Sequence, residues 1–169
     1  MHLYLHVPFC ARRCSYCDFS IAVRKRIPAR EYVDAIRREL AARFPAADDV
    51  LADGSTIYFG GGTPSLLPPA ALADVLTHLL DVFPRRVSST PLPDAAPRRF
   101  SLTPSLDVLE VTLEANPEDV TPATAESWRA AGVNRISLGA QSFDDRVLAW
   151  MHRLHSAERT REAVRVLRA

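Results

Sequence analysis

Hydrophobic and polar residues follow two periods along the first half of the chain. Residues 3–8 (LYLHVP) and 55–60 (STIYFG) are β-prone and predict strands. Residues 31–44 and 69–83 instead carry apolar residues every three or four positions, and a proline follows each stretch closely. That spacing predicts amphipathic helices that end at the prolines. The first half of the chain therefore predicts two strand–helix units.

The second half of the chain repeats the same alternation. Residues 108–114 (VLEVTLE) and 134–139 (NRISLG) predict two more strands. Between them, Thr121 can cap a helix that has Pro122 at its first position, and Gly132 can end that helix. A third strand–helix unit and a fourth strand are therefore expected.

Two further helices and one loop complete the pattern. A short helix is predicted over 144–151, and Ser156 can cap a last helix over 157–168. Residues 85–105 hold four prolines with little periodicity and predict an exposed, flexible loop. Since strands and helices alternate four times, we expect an α/β fold with a parallel sheet and right-handed crossovers.

Residues with useful chemistry follow each of the four predicted strands. Loops at the carboxyl ends of parallel strands lie along one edge of the sheet, where such folds place their active residues. We therefore expect one shared rim formed by Cys10–Cys17, Gly60–Thr63, Glu114–Asn116 and Gln141. The alternatives are a plain tight turn for the glycines and a surface or capping role for Glu114.

The three cysteines of the chain, Cys10, Cys14 and Cys17, lie within one short segment. Their C-x3-C-x2-C spacing supplies three thiolate ligands, one fewer than an iron–sulfur cube uses. A cluster held this way would keep one iron open to a small molecule. The alternative is a structural zinc site completed by His2 or His6, although zinc loops usually present two pairs of cysteines.

The composition of the chain indicates which class of protein and which cellular compartment suit this cysteine loop. The chain has 169 residues, is 47% hydrophobic and 24% charged, and carries a formal net charge of +1. This balance is typical of a soluble globular domain and gives no general surface for nucleic acids. No apolar stretch approaches the roughly 20 residues of a membrane span, and residues 1–9 do not resemble a signal peptide. Because the number of cysteines is odd, we expect free thiols in a reducing cytoplasm.

The cysteine loop resembles that of the radical S-adenosylmethionine (SAM) superfamily. The resemblance is carried by C-x3-C-x2-C after a first strand, with Tyr16 directly before the last cysteine. It implies that Cys10, Cys14 and Cys17 ligate a [4Fe-4S] cluster and that SAM binds its open iron. It also implies cleavage of SAM to a radical that abstracts hydrogen from a substrate, chemistry that belongs to the cofactors while the protein positions them.

Four longer segments are similar to the oxygen-independent coproporphyrinogen III oxidase family: LYLHVPFCARRCSYCDFS, YFGGGTPS, LEANPE and NRISLGAQSFDD. The resemblance implies a partial (β/α) barrel with about four of about six β-α units present. It implies that Tyr4, Gly61 and Glu114 contact the SAM bound to the cluster. Further positions match residues that contact SAM, including a second SAM site in the oxidase: Tyr16, Gly62, Thr63, Gln141 and Arg153.

Phe19 separates two branches of that family. The oxidase has a fourth cysteine two residues after the third, whereas this chain has Cys17–Asp18–Phe19. The YCDF sequence resembles the HemW-like heme chaperone branch, which implies heme binding, a heme-accepting protein and an electron donor. The alternative is the oxidase activity, which converts coproporphyrinogen III to protoporphyrinogen IX.

Smaller departures concern the last motif. Ala140 stands where valine is usual, and Met151–His152 stands before Arg153 where leucine–glycine is common. His152 and His155 flank Arg153 and are interpreted as histidines on a helix surface. The family's later strands have no counterpart in this sequence, so we expect residues 1–169 to be the N-terminal part of a radical SAM core.

Overall fold

Four parallel strands form the main sheet of the computed structural model, which describes residues 1–45, 51, 54–84 and 109–169. Along the chain the strands are β1 (His2–Val7), β2 (Phe9–Cys10), β3 (Ala22–Val23), β4 (Thr56–Gly61), β5 (Glu110–Ala115) and β6 (Arg135–Leu138). The main sheet has the order β1-β4-β5-β6, and β2 pairs with β3 separately. The parallel α/β fold expected from the sequence is confirmed.

Helices connect these strands and cover one face of the main sheet. They are α1 (Ala29–Arg43), α2 (Pro69–Val82), α3 (Pro122–Ala130), α4 (Asp145–Trp150) and α5 (Ala157–Arg168). Every helix predicted from the sequence is present, with ends that differ by two residues at most. The predicted loop over 85–105 lies outside the described residues. Among the described helices, none is both long and apolar enough to cross a membrane.

The core lies between the helices and one face of the main sheet. Alternate strand residues point into it, including Val7 on β1, Phe59 on β4 and Leu113 on β5, which are all fully buried. Helix α2 contributes Leu72 and Leu79 to the same cluster. This two-residue alternation leaves the other strand residues on the opposite face.

The opposite face of the sheet carries polar and aromatic side chains. Tyr4 on β1 lies opposite Tyr58 on β4, and their rings stack with centroids 5.9 Å apart. His6 follows on β1, and Glu114 lies at the end of β5. In a barrel this face points inwards, so the incomplete barrel presents a polar concave surface.

Two capped helix starts fix the chain near the carboxyl edge of the sheet. The Thr121 hydroxyl accepts a hydrogen bond from the Thr124 N–H at 3.1 Å, and Pro122 is the first residue of α3. The Ser156 hydroxyl accepts one from the Arg159 N–H at 3.1 Å at the start of α5. Both caps predicted from the sequence are confirmed.

The small β2–β3 sheet closes the cysteine loop at its base. The Ala22 N–H donates to the Pro8 carbonyl at 2.6 Å, and the Arg24 N–H donates to the Cys10 carbonyl at 2.9 Å. The sequence did not predict these two-residue strands. They bring the two ends of the loop together, so that the segment with all three cysteines projects beside the carboxyl edge of the main sheet.

Candidate functional site

A cavity of about 400 Å³ opens at the carboxyl edge of the main sheet. Its wall contains every site residue predicted from the sequence except Tyr4: Cys10, Cys14, Tyr16, Cys17, Gly61, Gly62, Thr63, Glu114, Gln141 and Arg153. These residues come from loops after four different strands. The sheet therefore brings together residues that are up to 143 positions apart in the chain, since Cys10 and Arg153 share this wall.

The three cysteines form one side of the cavity as free thiols. Cys10 is buried, whereas Cys14 and Cys17 are partly exposed. The Thr63 hydroxyl donates a hydrogen bond to Cys10 Sγ at 3.4 Å. Burial raises the pKa of the Cys10 thiol, the Thr63 hydrogen bond opposes the shift, and the nearby Cys17 and Cys14 add to it. Cys14 and Cys17 therefore lie close enough to Cys10 to disfavour ionisation of its thiol.

The donor set suits an iron–sulfur cluster. Three free thiols line one cavity, and in a cubane each thiolate ligates a different iron. The glycine turn packs directly against the cysteine loop, since a Cβ on Gly62 would lie 3.0 Å from Cys10 Sγ and 2.7 Å from the Phe9 carbonyl oxygen. The residues present therefore fit a cluster with three protein ligands.

Glu114 and the glycine turn form another part of the cavity wall, and the turn lies directly beside Cys10. Tyr58 donates a hydrogen bond to Glu114 Oε1 at 2.7 Å, and the Gly61 N–H donates to Oε2 at 3.0 Å. Gly61 has φ +116°, and a Cβ there would lie 2.5 Å from His6 Nδ1. Each carboxylate oxygen keeps a free lone pair, so this fixed carboxylate can still accept hydrogen bonds from a ligand's ammonium or hydroxyl groups.

Arg153 connects the cysteine loop to the main sheet. Its Nη2 donates to Asn116 Oδ1 at 2.5 Å and to the Gly139 carbonyl at 3.3 Å, at the ends of β5 and β6. Its Nη1 donates to the Tyr16 hydroxyl at 3.3 Å and to Cys14 Sγ at 3.7 Å. The guanidinium thus holds three segments of the cavity wall together.

Two wall residues adopt the left-handed backbone conformation. Gln141 has φ +59° and His152 has φ +56°. This conformation is uncommon outside glycine and is concentrated at ligand sites and in turns. Gln141 was predicted as a site residue. His152 is exposed, as expected of a surface histidine, and it also lines the cavity.

Tyr4 lies outside the cavity wall, on the concave face of the sheet. Its side chain is 58% exposed, and its hydroxyl lies 3.4 Å from His6 Nδ1. Its ring stacks on Tyr58, which in turn donates to Glu114. The SAM contact expected of Tyr4 stays a prediction.

His155 and Glu118 are the residues that sequence reasoning missed. His155 was expected on a helix surface, but that expectation is wrong: the residue is only 5% exposed and lies in the turn between α4 and α5. Its Nδ1 is 3.0 Å from Glu118 Oε2, and Glu118 lines the cavity. The only available signal was the position of Glu118 just after the third strand, because its partner is 37 residues away.

A family model described as the radical SAM superfamily matches residues 4–169. The chain belongs to the radical SAM superfamily. The match includes the C-x3-C-x2-C loop and all four strands of the main sheet. The cavity wall described above is therefore the wall of a radical SAM domain.

Two curated relatives of this radical SAM chain are heme chaperones HemW. The protein from Mycobacterium tuberculosis (strain CDC 1551 / Oshkosh) is 39% identical over 165 residues, which cover 95% of this chain and 36% of the relative. The protein from Escherichia coli (strain K12) is 33% identical over 170 residues, which cover 98% of this chain and 38% of the relative. The chain thus spans little more than a third of the length of these relatives.

A solved structure shows the same fold. The coproporphyrinogen III oxidase HemN from Escherichia coli, described as a radical SAM enzyme, superposes with a TM-score of 0.74 at 25% identity. The match covers 99% of this chain and 34% of the oxidase chain. The partial barrel expected from the sequence is confirmed by this likeness.

Proposed function

We propose that this chain binds a [4Fe-4S] cluster and SAM and serves as a heme chaperone of the HemW type. The observation that carries the proposal is the cavity whose wall contains three free thiols together with Glu114 and the glycine turn. When such a cluster is bound and reduced, it supplies the electron that cleaves SAM. The protein's part is to hold both cofactors and to exclude competing reactions.

Each wall of the cavity has its own task in this proposal. Cys10, Cys14 and Cys17 hold the cluster, and the iron without a thiolate takes the amino and carboxylate groups of SAM. Glu114, fixed by two hydrogen bonds, accepts hydrogen bonds from the polar groups of SAM. Gly62 allows the glycine turn to pack closely against the cysteine loop, because a side chain there would collide with the Phe9 carbonyl oxygen and with Cys10 Sγ.

Further residues complete the proposed SAM site. Tyr16, Thr63, Gln141 and Arg153 lie on the same wall and offer hydroxyl, amide and guanidinium groups. Tyr4 lies outside the cavity wall and acts through its ring, which stacks on the ring of Tyr58. Since the three thiols must stay reduced until the cluster forms, a reducing compartment such as the cytoplasm belongs to this proposal.

Heme and its acceptor protein enter the proposal through the relatives. HemW proteins are named as heme chaperones and are 33% and 39% identical to this chain in the two cases described above. The cysteine loop agrees with this assignment, because Phe19 stands where the oxidase resemblance places a further cysteine. Phe19 is 62% exposed and lines the cavity, so it offers an apolar surface beside the cluster loop.

The second candidate function is oxidation of a porphyrinogen. The observation that favours it is the likeness to the HemN oxidase structure, which covers nearly the whole chain. In that case the same cavity supports conversion of coproporphyrinogen III to protoporphyrinogen IX. Cleavage of SAM would need an electron donor under either function, and the oxidative decarboxylation would also need an electron acceptor for the electron left on the substrate.

One anaerobic experiment separates the two functions. The reconstituted protein is titrated with heme, and a second sample receives SAM, a reductant and coproporphyrinogen III. Stoichiometric heme binding without porphyrinogen turnover is the expected result. Catalytic formation of protoporphyrinogen IX would replace the chaperone assignment with the oxidase, and a protein that does neither would refute both.

A further inference from the structure

His155 has acceptors on both sides of its ring. Its side chain is fully buried, with Nδ1 3.0 Å from Glu118 Oε2 and Nε2 3.1 Å from the carbonyl oxygen of Ala140. A carbonyl oxygen can only accept, so Nε2 must carry a proton and donate it. The ring is therefore oriented by two hydrogen bonds to segments that precede it by 37 and 15 residues.

The contact with Glu118 also requires a proton. A neutral ring with its proton on Nε2 would turn the Nδ1 lone pair towards the lone pairs of an ionised carboxylate. Such a contact is repulsive, and burial strengthens the repulsion. One proton must therefore lie between Nδ1 and Oε2, which gives either an imidazolium beside a carboxylate or a neutral ring beside a carboxylic acid. In both forms Nε2 donates to the Ala140 carbonyl and Nδ1 shares a proton with Glu118 Oε2, so the ring is held on both sides.

The three segments joined by His155 form one side of the cavity. Glu118 belongs to the 3-10 turn Pro117–Asp119 directly after β5. Ala140 precedes Gln141, which has φ +59°. Arg153, two residues before His155, reaches back to Asn116. A shift of the ring would therefore move the backbone that carries Gln141 and Arg153.

We propose that His155 is a positioning residue for the SAM side of the cavity. Its ring joins the Glu118 carboxyl group and the Ala140 carbonyl, and this fixes Gln141 and Arg153 towards the bound ligand. The proposal deepens the proposed function and rests on it for the identity of the ligand. The cluster thiolates lie on another loop, to which His155 makes no hydrogen bond among the described residues. Arg153 reaches Cys14 only through a long hydrogen bond of 3.7 Å, so we expect His155 to act on SAM affinity while cluster binding is retained.

Two substitutions distinguish hydrogen bonding from packing. His155→Phe keeps an aromatic ring and removes both donors, whereas His155→Gln keeps an N–H donor with less apolar volume. If the ring acts through its hydrogen bonds, SAM affinity falls by about tenfold in His155→Phe and by less in His155→Gln. A loss of this size is typical when a residue that orients the binding residues through hydrogen bonds is replaced. If the ring only fills space, His155→Phe is the milder variant.

The affinity measurement is made on the anaerobically reconstituted protein, with iron content measured in parallel. His2→Phe is the matched control, because His2 is an exposed histidine at the opposite end of β1 from the cavity. The expected result is full iron content in all variants, unchanged SAM affinity in the control and weakened SAM affinity in His155→Phe. Unchanged SAM affinity in His155→Phe, or a larger loss in His155→Gln, would overturn the proposal.

Nitrogen NMR tests the two hydrogen bonds without depending on SAM. In the wild-type protein Nε2 of His155 should carry a proton, and Glu118→Gln should change the signal of Nδ1 while that of Nε2 stays protonated. A wild-type ring without a proton on Nε2, or an Nδ1 signal that ignores Glu118→Gln, would refute the arrangement. If the protein bound neither cluster nor SAM, the proposed function would fail, while this measurement would still decide whether the two hydrogen bonds exist.

Discussion

Glu114 accepts a hydrogen bond from the backbone N–H of Gly61 at 3.0 Å, which joins the carboxyl ends of β4 and β5. The Tyr58 hydroxyl donates to the other carboxylate oxygen at 2.7 Å. A side chain held by two donors loses little further freedom when it binds a ligand. Glu114 is therefore prepared in advance to receive the polar groups of SAM.

Replacing Glu114 by Ala should weaken SAM binding and leave the cluster in place. Loss of a charged hydrogen-bond acceptor costs about 1.5–3 kcal/mol, which corresponds to roughly 10-fold or more in affinity. The measurement is a SAM titration with iron content determined on the same sample. Glu110→Ala is the matched control, because Glu110 begins the same strand and lies outside the cavity wall. Equal SAM affinity in both variants would exclude a contact with Glu114.

Replacing any one of Cys10, Cys14 or Cys17 by Ala should abolish stable cluster binding. Two thiolates cannot hold a cube that uses three protein ligands and a small molecule. Iron, acid-labile sulfide and visible absorption after anaerobic reconstitution report the outcome. Ser15→Ala, an exposed position within the same loop, should keep the full cluster. A single cysteine variant with full iron and sulfide would show that the ligand assignment is wrong.

Gly61→Ala should destabilise the fold more than Gly54→Ala. Both glycines have positive φ, at +116° and +82°, so both substitutions strain the backbone. Only the Gly61 Cβ would meet a close neighbour, His6 Nδ1 at 2.5 Å, whereas nothing lies within 4 Å at Gly54. Strain alone costs about 1–3 kcal/mol, and crowding adds to it at Gly61. Urea unfolding of both variants measures the difference, and equal losses would mean that the space beside His6 is not restricted.

Asp119 should make stability depend on pH. Burial raises the pKa of this carboxyl, while a 2.6 Å hydrogen bond from the Ser65 hydroxyl opposes the shift. Just above the ordinary pKa of aspartate, the folded chain therefore binds more protons than the unfolded chain, so the free energy of unfolding falls as pH rises through this window. Asp119→Asn is neutral throughout and should lack that decline.

The measurement for Asp119 is urea unfolding of both proteins from about pH 4 to about pH 7. Relative to Asp119→Asn, the wild-type protein should lose stability as pH rises and then reach a constant difference. A difference that is independent of pH would show that Asp119 ionises equally well in the folded and unfolded chains.

Local sequence signals were enough to predict the main elements of this fold. Thr121 and Ser156 carry their cap hydrogen bonds within three residues, so the sequence itself contains both partners. The strands of the main sheet were found for a related reason, because alternation of buried and exposed residues is a local pattern. Placement of Cys10, Glu114 and Gln141 around one cavity then followed from the general rule that parallel strands end at one edge.

The features that were not predicted depend on distant partners. Strands β2 and β3 exist because Ala22 returns to Pro8 and Arg24 returns to Cys10, and two residues show no periodicity. His155 lies in a turn, where helical spacing carries no information about burial, and its partners come from two other loops. The position of Tyr4 outside the cavity wall reflects its register opposite Tyr58, which no local pattern specifies.

Mössbauer spectroscopy of the anaerobically reconstituted protein, with and without SAM, tests the central claim most directly. The claim is that Cys10, Cys14 and Cys17 hold a cubane whose remaining iron is open to SAM. The expected result is iron and acid-labile sulfide in equal amounts, with SAM changing the signal of a single iron in the cluster. Zinc without sulfide would instead show a structural metal site, and a cluster whose iron signals ignore SAM would show that the cavity does not bring the two cofactors together.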